Sequence, residues 1–338
     1  MPGVRERGRK IREFILANIA ENKNIAALTA DTFSISLPAV YKHIDRLVLE
    51  NHLKKELGRY VLRARQYKYV YKNNGTLGED TVWEKDIKKH FSGFQKNVLA
   101  IWVYGFLEIF NNAIEHSKGK KIWVVVDETG GHTSISISDD GIGIFKNIMA
   151  NFKLADEKDA LLELAKGKRT TDRSRHSGQG IFFTSKAFDD FIIYSNGITF
   201  TSNNGKNNRT QESKTKFSTM VYMRLSNNSG KVLKDVFDDF STEVPGDFDK
   251  TIVPIRLANS SDLVSRSQAR RVLSGLELFK EVILDFGEVE YIGQAFADEI
   301  FRVFTNMNPG TEIMAHNANA EVQSMINRAI NTKLGNRY

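Results

Sequence analysis

The stretch Phe106-Leu-Glu108-Ile-Phe-Asn111-Asn112-Ala-Ile-Glu115-His116 is where the chain's chemistry first becomes readable. It lies in an apolar helix expected to start near Val98. Glu108 and Asn112 are four apart and therefore stack on one helix face. A carboxylate so placed can orient and deprotonate a water. An amide oxygen one turn on is a suitable ligand for a magnesium ion that carries phosphates. Taken alone, the same pair also fits an ordinary solvated helix face.

The order of the downstream segments narrows the choice. Lys121 to Glu128 and Thr133 to Asp139 read as two strands joined through Gly130-Gly131. The second runs into Asp139-Asp140-Gly141-Ile142-Gly143-Ile144. A carboxylate at a strand end can accept from an exocyclic amine, and glycines let the backbone approach a flat base. Asp140 reads as a loop-capping residue. After a polar, helix-containing segment comes Ser177-Gly178-Gln179-Gly180-Ile181, opening a helix that runs to Phe188. Glycines at a helix start present bare amides to phosphate.

Glu-x3-Asn, then Asp-x-Gly-x-Gly, then Gly-x-Gly before a helix resembles the GHKL superfamily of gyrase, the heat-shock chaperone Hsp-ninety, histidine kinases and MutL. The resemblance implies a Bergerat ATP site. Glu108 would be the water-activating base and Asn112 the magnesium ligand. Asp139 would receive the adenine amine, with Thr219 helping to hold the base and Gly141 and Gly143 shaping the pocket. Gly178 and Gly180, with Ser177, Gln179 and Ile181 beside them, would bind the phosphates. Residues 144–176 become a lid, from which Lys166, Lys168 and Arg169 would reach phosphate; an exposed basic loop is the other reading of those three. His116 is either a contact to the nucleotide or its water, or a structural histidine at a helix end.

The 338 residues exceed one ordinary core and suggest two or three domains. A hydrophobic content of 41% and a charged content of 26% are those of a globular protein in water. No apolar run reaches the roughly 20 residues of a membrane span, and the N-terminal stretch shows no signal peptide. Zero cysteines remove disulfides, thiolate zinc sites and cysteine nucleophiles. A cytoplasmic protein without membrane partners is expected. Polar breaks at Lys72 to Gly78 and Ser226 to Gly230 divide the chain into 1–72, 79–226 and 230–338. The polar stretch Ser202 to Lys216 reads as a long hairpin loop.

The net charge of +7 is concentrated at one end: residues 1–72 hold 15 Lys and Arg against 7 Asp and Glu, or +8, which leaves −1 for the rest. That asymmetry points to a polyanion partner. Helices are expected over Arg5 to Ala20, around Ala26 to Phe33, and from Leu37 after the N-cap region at Ser36. In the third, Val40, Ile44 and Leu47 face inward. Leu53 to Glu56 and Tyr60 to Tyr71 read as a basic hairpin around Gly58-Arg59. The order resembles the winged helix-turn-helix of bacterial regulators. By that resemblance Ser36, Tyr41, Lys42 and Arg46 are candidate DNA-groove contacts, and Arg59, Arg63 and Arg65 candidate phosphate contacts. A winged helix used only for protein contacts is the alternative.

Beyond residue 230, strands at Lys250 to Leu257, Glu281 to Phe286 and Glu312 to His316 alternate with helices. The stretch from Val282 to Phe301 resembles STAS domains of anti-anti-sigma factors, whose turn before this helix carries a phosphorylatable serine. Here it reads Gly293-Gln294-Ala295, so a docking or self-association module is implied instead. The fold expected is α/β (α+β): winged helix, Bergerat α/β sandwich on a mixed sheet, STAS-like α/β domain. The function expected is an ATP-binding and ATP-hydrolysing regulator that couples nucleotide state, with Mg2+, to DNA or a protein partner. An anti-sigma-type serine kinase and a non-catalytic ATP-dependent scaffold are the alternatives. His90, in Lys-Lys-His-Phe-Ser, lacks the phosphoacceptor context of a histidine kinase.

Overall fold

A computed structural model describes residues 2–19, 22, 24–50, 52–157, 159–167, 179–202, 217–258 and 263–335. The N-terminal block has helices α1 (Pro2–Asn18), α2 (Ile25–Phe33) and α3 (Leu37–Leu49), then a hairpin of β1 (Leu53–Glu56) and β2 (Arg59–Leu62). Its own small core gathers Ile11, Ile15, Val40, Ile44, Leu47 and Leu53. The helical spacing in α3 therefore does what it predicts. Pro38 sits in the first turn, where no amide donor is needed. Ser36 occupies the N-cap backbone position, but its side chain makes no cap hydrogen bond.

The return strand of the hairpin is shorter than the sequence suggested. It stops at Leu62, and β3 (Arg65–Lys72) pairs instead with β4 (Lys121–Glu128) at the edge of the central sheet. The reason lies in the alternation of Tyr67, Tyr69 and Tyr71. These rings need an apolar layer, which an isolated two-stranded wing does not have. In the sheet Tyr71 meets Phe110 edge-on at 5.5 Å and donates to Asp86 at 3.0 Å. Aromatic pairs of this kind contribute about 0.5–1.5 kcal/mol each beyond burial.

Helix α4 (Glu79–Val82) continues through a π turn, Trp83–Ile87, and a 3-10 turn, Lys88–Phe91, into α5 (Lys96–Glu115). Strands β4 and β5 (His132–Asp139) lead to the short helices α6 (Ile144–Phe152), α7 (Asp159–Lys166) and α8 (Gly180–Ala187). Strands β6 (Asp190–Ser195), β7 (Ile198–Ser202) and β8 (Thr219–Ser226) complete a six-stranded sheet of order β3-β4-β5-β8-β6-β7. The α/β sandwich is present, but every pairing in its sheet is antiparallel rather than mixed. Residues 203–216 lie outside the described residues. The strands on either side of them are not hairpin partners, because β6 separates β7 from β8.

Helix α9 (Leu233–Asp238) precedes β9 (Lys250–Pro254), α10 (Arg266–Leu273), β10 (Glu281–Asp285), α11 (Gln294–Asp298), α12 (Thr305–Met307), β11 (Glu312–His316) and α13 (Ala320–Gly335). A π turn, Glu299–Phe304, joins α11 to α12. The three strands form a parallel sheet of order β11-β10-β9. One apolar core runs from Val82 to Ala329 through both sheets. Phe182 and Phe183 of α8 meet Phe248 at 4.7 and 4.9 Å, and Phe248 meets Phe279 at 5.2 Å. The expected linkers are likewise held in place. Asn73 donates to Ile114 O and Gly119 O, and Asn97 to Ser229 O and Lys231 O.

Candidate functional site

Helix α5 is the axis of the site. Val98, Ile101, Trp102, Phe106, Ile109 and Phe110 are buried against the sheet and neighbouring helices. Among the described residues it is the one helix long and apolar enough to cross a bilayer, and that buried face accounts for its composition. Glu108, Asn112 and His116 recur every four residues along its flank, and all three line a cavity of about 310 Å³. Strands β5 and β8 and helices α6, α7 and α8 supply the remaining walls.

One end of the cavity is built on Asp139, at the last position of β5. Its register partner across the sheet is Thr219, and both side chains are buried. Burial pushes the Asp139 carboxyl up to about 6, against the lowering effect of hydrogen bonds from the Gly141 amide and the Thr219 hydroxyl. Gly141 N–H donates to Asp139 Oδ1 at 2.9 Å. A carboxylate has about four acceptor positions, and these two donors use two of them.

The glycines here are required by contact and by conformation. A Cβ at Gly141 would lie 2.0 Å from the Ser117 carbonyl oxygen. Gly143 has φ +93°, in the region L-residues avoid, and a Cβ there would meet Asn196 Nδ2 at 2.0 Å. Ile144 N–H donates to both Ser195 Oγ and Thr219 Oγ1 at 3.1 Å. Asp140 accepts from the Lys120 and Lys121 amides at 2.7 and 2.9 Å, as a loop cap should.

The other end is built on the start of α8. Gln179, Gly180 and Ile181 line the cavity. A Cβ at Gly180 would lie 1.9 Å from Glu108 Oε2, so the Glu108 carboxylate is pressed against bare backbone. Burial first, and then the Glu108 charge, raise the Tyr104 phenol. The arrangement thus offers a buried acceptor at one end, helix-start amides and a carboxylate at the other, and apolar walls from Ile109, Ile137 and Val221 between them.

Nine of the fifteen residues expected at a nucleotide line this cavity: Glu108, Asn112, His116, Asp139, Gly143, Gln179, Gly180, Ile181 and Thr219. Gly141 stands behind Asp139 as its backbone donor. Lys168, Ser177 and Gly178 lie outside the described residues, as does Arg169. Lys166 is a correction. It is 1% exposed, and its ammonium is held by Glu163 Oε1 at 2.8 Å and by the carbonyls of Arg271 and Ser274 at 3.1 and 2.9 Å. Three donors with three acceptors leave it no role as a phosphate hook.

Sequence reasoning missed Glu163, Asn147 and Phe182, which also line the cavity, and Ser195, which braces its floor. The Asn196-Gly197 turn that places Ser195 was visible as a hairpin signal; Asn196 has φ +49° and Gly197 +87°. Asn147 donates to the His116 carbonyl at 3.4 Å, tying α6 to the end of α5.

On the N-terminal block, Ser36, Tyr41, Lys42 and Arg46 are exposed along α3, with Arg46 bonded to Glu50 at 2.8 Å. Arg59 is exposed on the hairpin, and Arg63 N–H still bonds back to His52 O at 2.9 Å. Arg65 is the second correction. It opens β3 opposite Glu128 and belongs to the central sheet, not the wing.

The sequence profile described as histidine kinase-, DNA gyrase B-, and HSP90-like ATPase matches residues 104–294, more than half of the chain. A second, described as a STAS-like domain of unknown function, matches residues 268–323. Comparison with curated proteins gives no match.

Proposed function

The chain belongs to the histidine kinase-, DNA gyrase B-, and HSP90-like ATPases, and on that premise we propose that it binds ATP with magnesium in the α5–α8 cavity and hydrolyses it there. The observation that carries this reading is the buried Asp139–Thr219 pair at one end of a cavity whose other end sets Glu108 against Gly180. Asp139 accepts the adenine amine, which a carboxylate in an apolar pocket does with high discrimination because an unmatched acceptor there is costly. Thr219 orients Asp139, and the α8 start takes the phosphates on its amides.

Asn112, one turn from Glu108, would hold magnesium through its amide oxygen; the ion would supply neutralising charge to the phosphates. Glu108 takes a proton from a water as the water oxygen bonds to the terminal phosphorus. The bond to the bridging oxygen breaks, and ADP and phosphate leave. Hydrolysis is favoured over transfer to this chain's own STAS-like region, because Gly293-Gln294-Ala295 offers no hydroxyl acceptor.

In the same reading the N-terminal block binds DNA. Tyr41, Lys42 and Arg46 face the major groove, and Arg59 and Arg63 the backbone. The C-terminal region is a docking module for a protein partner or a second copy. The test is phosphate release by the full chain with and without DNA. Wild type should release phosphate from ATP, and Glu108→Ala should bind ATP yet release at least about 10²-fold less. Equal release by the two proteins would reduce ATP to a structural ligand.

A further inference from the structure

An unpaired edge strand is a template for another chain, and proteins blunt such edges with lysines or cover them. The six-stranded sheet ends on β3, where Arg65, Lys68 and Lys72 are exposed. The three-stranded sheet ends on β9 at one side, and that edge is covered. Lys250 N–H donates to Phe240 O at 3.1 Å, and Thr251 Oγ1 donates to Lys166 O of α7 at 3.0 Å. The other edge is β11, Glu312-Ile-Met-Ala-His316, which pairs with β10 alone among the described residues. It contains neither lysine nor proline.

The register of β11 fixes what it offers. Glu312 N–H donates to Lys280 O at 2.7 Å, and the His316 carbonyl accepts from Phe286 N–H at 2.9 Å. Backbone groups alternate in direction along a strand, so Glu312, Met314 and His316 bond to β10, and Ile313 and Ala315 turn theirs to the free edge. Glu312 and His316 are exposed, and neither side chain has an ion pair or hydrogen bond among the described residues. Their neighbours on β10 are already engaged. Glu281, beside Glu312, pairs with Lys250 at 2.9 Å. Asp285, beside His316, accepts from Gly287 N–H at 3.0 Å and from Asn317 Nδ2 at 2.8 Å.

We propose that β11 is the interface for a second copy of this chain, paired antiparallel about a two-fold axis at Met314. This rests on the reading of the C-terminal region as a docking module, and it names that module's partner and register. Ile313 and the second copy's Ala315 exchange both of their backbone bonds. Glu312 then stands opposite the second copy's His316 in a pair without backbone bonds, the kind in which facing Cα atoms are only about 4.5 Å apart. The two-fold axis repeats that contact, so an acid meets an imidazole at both ends. A parallel alignment would instead set Glu312 on Glu312. Met314 meets its own copy on the face that carries its register neighbours Ile283 and Ile252. A strand this short makes a small interface, so association should be weak and visible only at micromolar concentrations or above.

The experiment is sedimentation velocity of the full chain from roughly 1 to 200 µM at about pH 6, on the acid side of the histidine range. Wild type should pass from monomer to dimer as concentration rises. Glu312→Lys and His316→Glu each place like charges opposite one another twice, and each should weaken its own dimer by about tenfold or more. An equal mixture of the two variants restores opposite charges at both contacts. It should dimerise within about threefold of wild type, a rescue that general damage to either variant could not produce. A wild type that stays monomeric throughout overturns the proposal and removes self-association from the docking reading. A wild-type dimer that both variants preserve, or weakened variants that mixing does not rescue, overturns the β11 pairing and leaves self-association standing through another surface.

Discussion

Glu108 and Gly180 are in contact across the α5–α8 crossing, so close that a methyl group at Gly180 would lie 1.9 Å from Glu108 Oε2. The atom in the way is the far end of a flexible side chain, not backbone. Gly180→Ala should therefore displace the carboxylate at small cost to the fold. The expected result is stability within about 1 kcal/mol of wild type by urea denaturation, together with phosphate release reduced by about 10²-fold. Release close to wild type would show that the position of Glu108 does not matter.

Asp139 makes both binding and stability depend on pH. Its carboxyl rises from 3.8 to about 6 on folding because burial disfavours the charge. Between those values the folded protein keeps a proton that the unfolded chain has released, so stability falls as pH climbs from about 4 to 6. Above pH 6 the cost is on the order of 3 kcal/mol. Asp139→Asn should accordingly stabilise the nucleotide-free protein at pH 7.5 more than at pH 4.5, read as the difference in Tm between variant and wild type at each pH. ATP, by contrast, needs the ionised acceptor. Its affinity should drop by about tenfold between pH 7.5 and 5.

His90 should behave as a structural residue. Its Nδ1 contacts Glu128 at 2.5 Å and its Nε2 the Tyr69 hydroxyl at 2.7 Å, and the ring packs at 4.4 Å on Tyr67. Only 4% of the side chain is exposed. His90→Ala should cost about 1–3 kcal/mol of stability and leave ATP affinity unchanged. Incubation with labelled ATP should yield no acid-labile phosphate on wild type; its appearance at His90 would reverse the assignment.

The basic N-terminal block should bind duplex DNA with affinity that falls steeply with salt. Replacing Lys42 or Arg59 with Ala should reduce the slope of log affinity against log salt by about 1 each. Arg65→Ala should leave the slope unchanged, because Arg65 opens the edge strand of the central sheet. Equal effects from all three would return Arg65 to the wing.

The sequence was most legible where a period or a motif had a single physical solution. Val40, Ile44 and Leu47 recur at helical spacing and are buried. The strand expected at Glu312 to His316 occupies those residues in the structure. Glu108, Asn112 and Asp139 come to one cavity because helix spacing and a strand end constrain them locally. Legibility ended where long-range partners decide. Nothing local says that Tyr67 to Tyr71 would leave the hairpin for a strand roughly 50 residues away. Lys166 reads in the sequence as a lid lysine in reach of phosphate or as part of an exposed basic loop, and only packing against Arg271 and Ser274 makes it a buried tie. Glu163 was hidden for the same reason, since its burial and its pairing with Lys166 are set by packing.

The most direct test of the ATP site is calorimetric titration of ATP with magnesium into the full-length protein, wild type beside Asp139→Asn, at pH 7.5. The account predicts one saturable site per chain in wild type and no measurable ATP binding in the variant, whose fold is intact by thermal denaturation. No ATP binding by wild type, or binding by Asp139→Asn within about threefold of it, would contradict the assignment of the cavity.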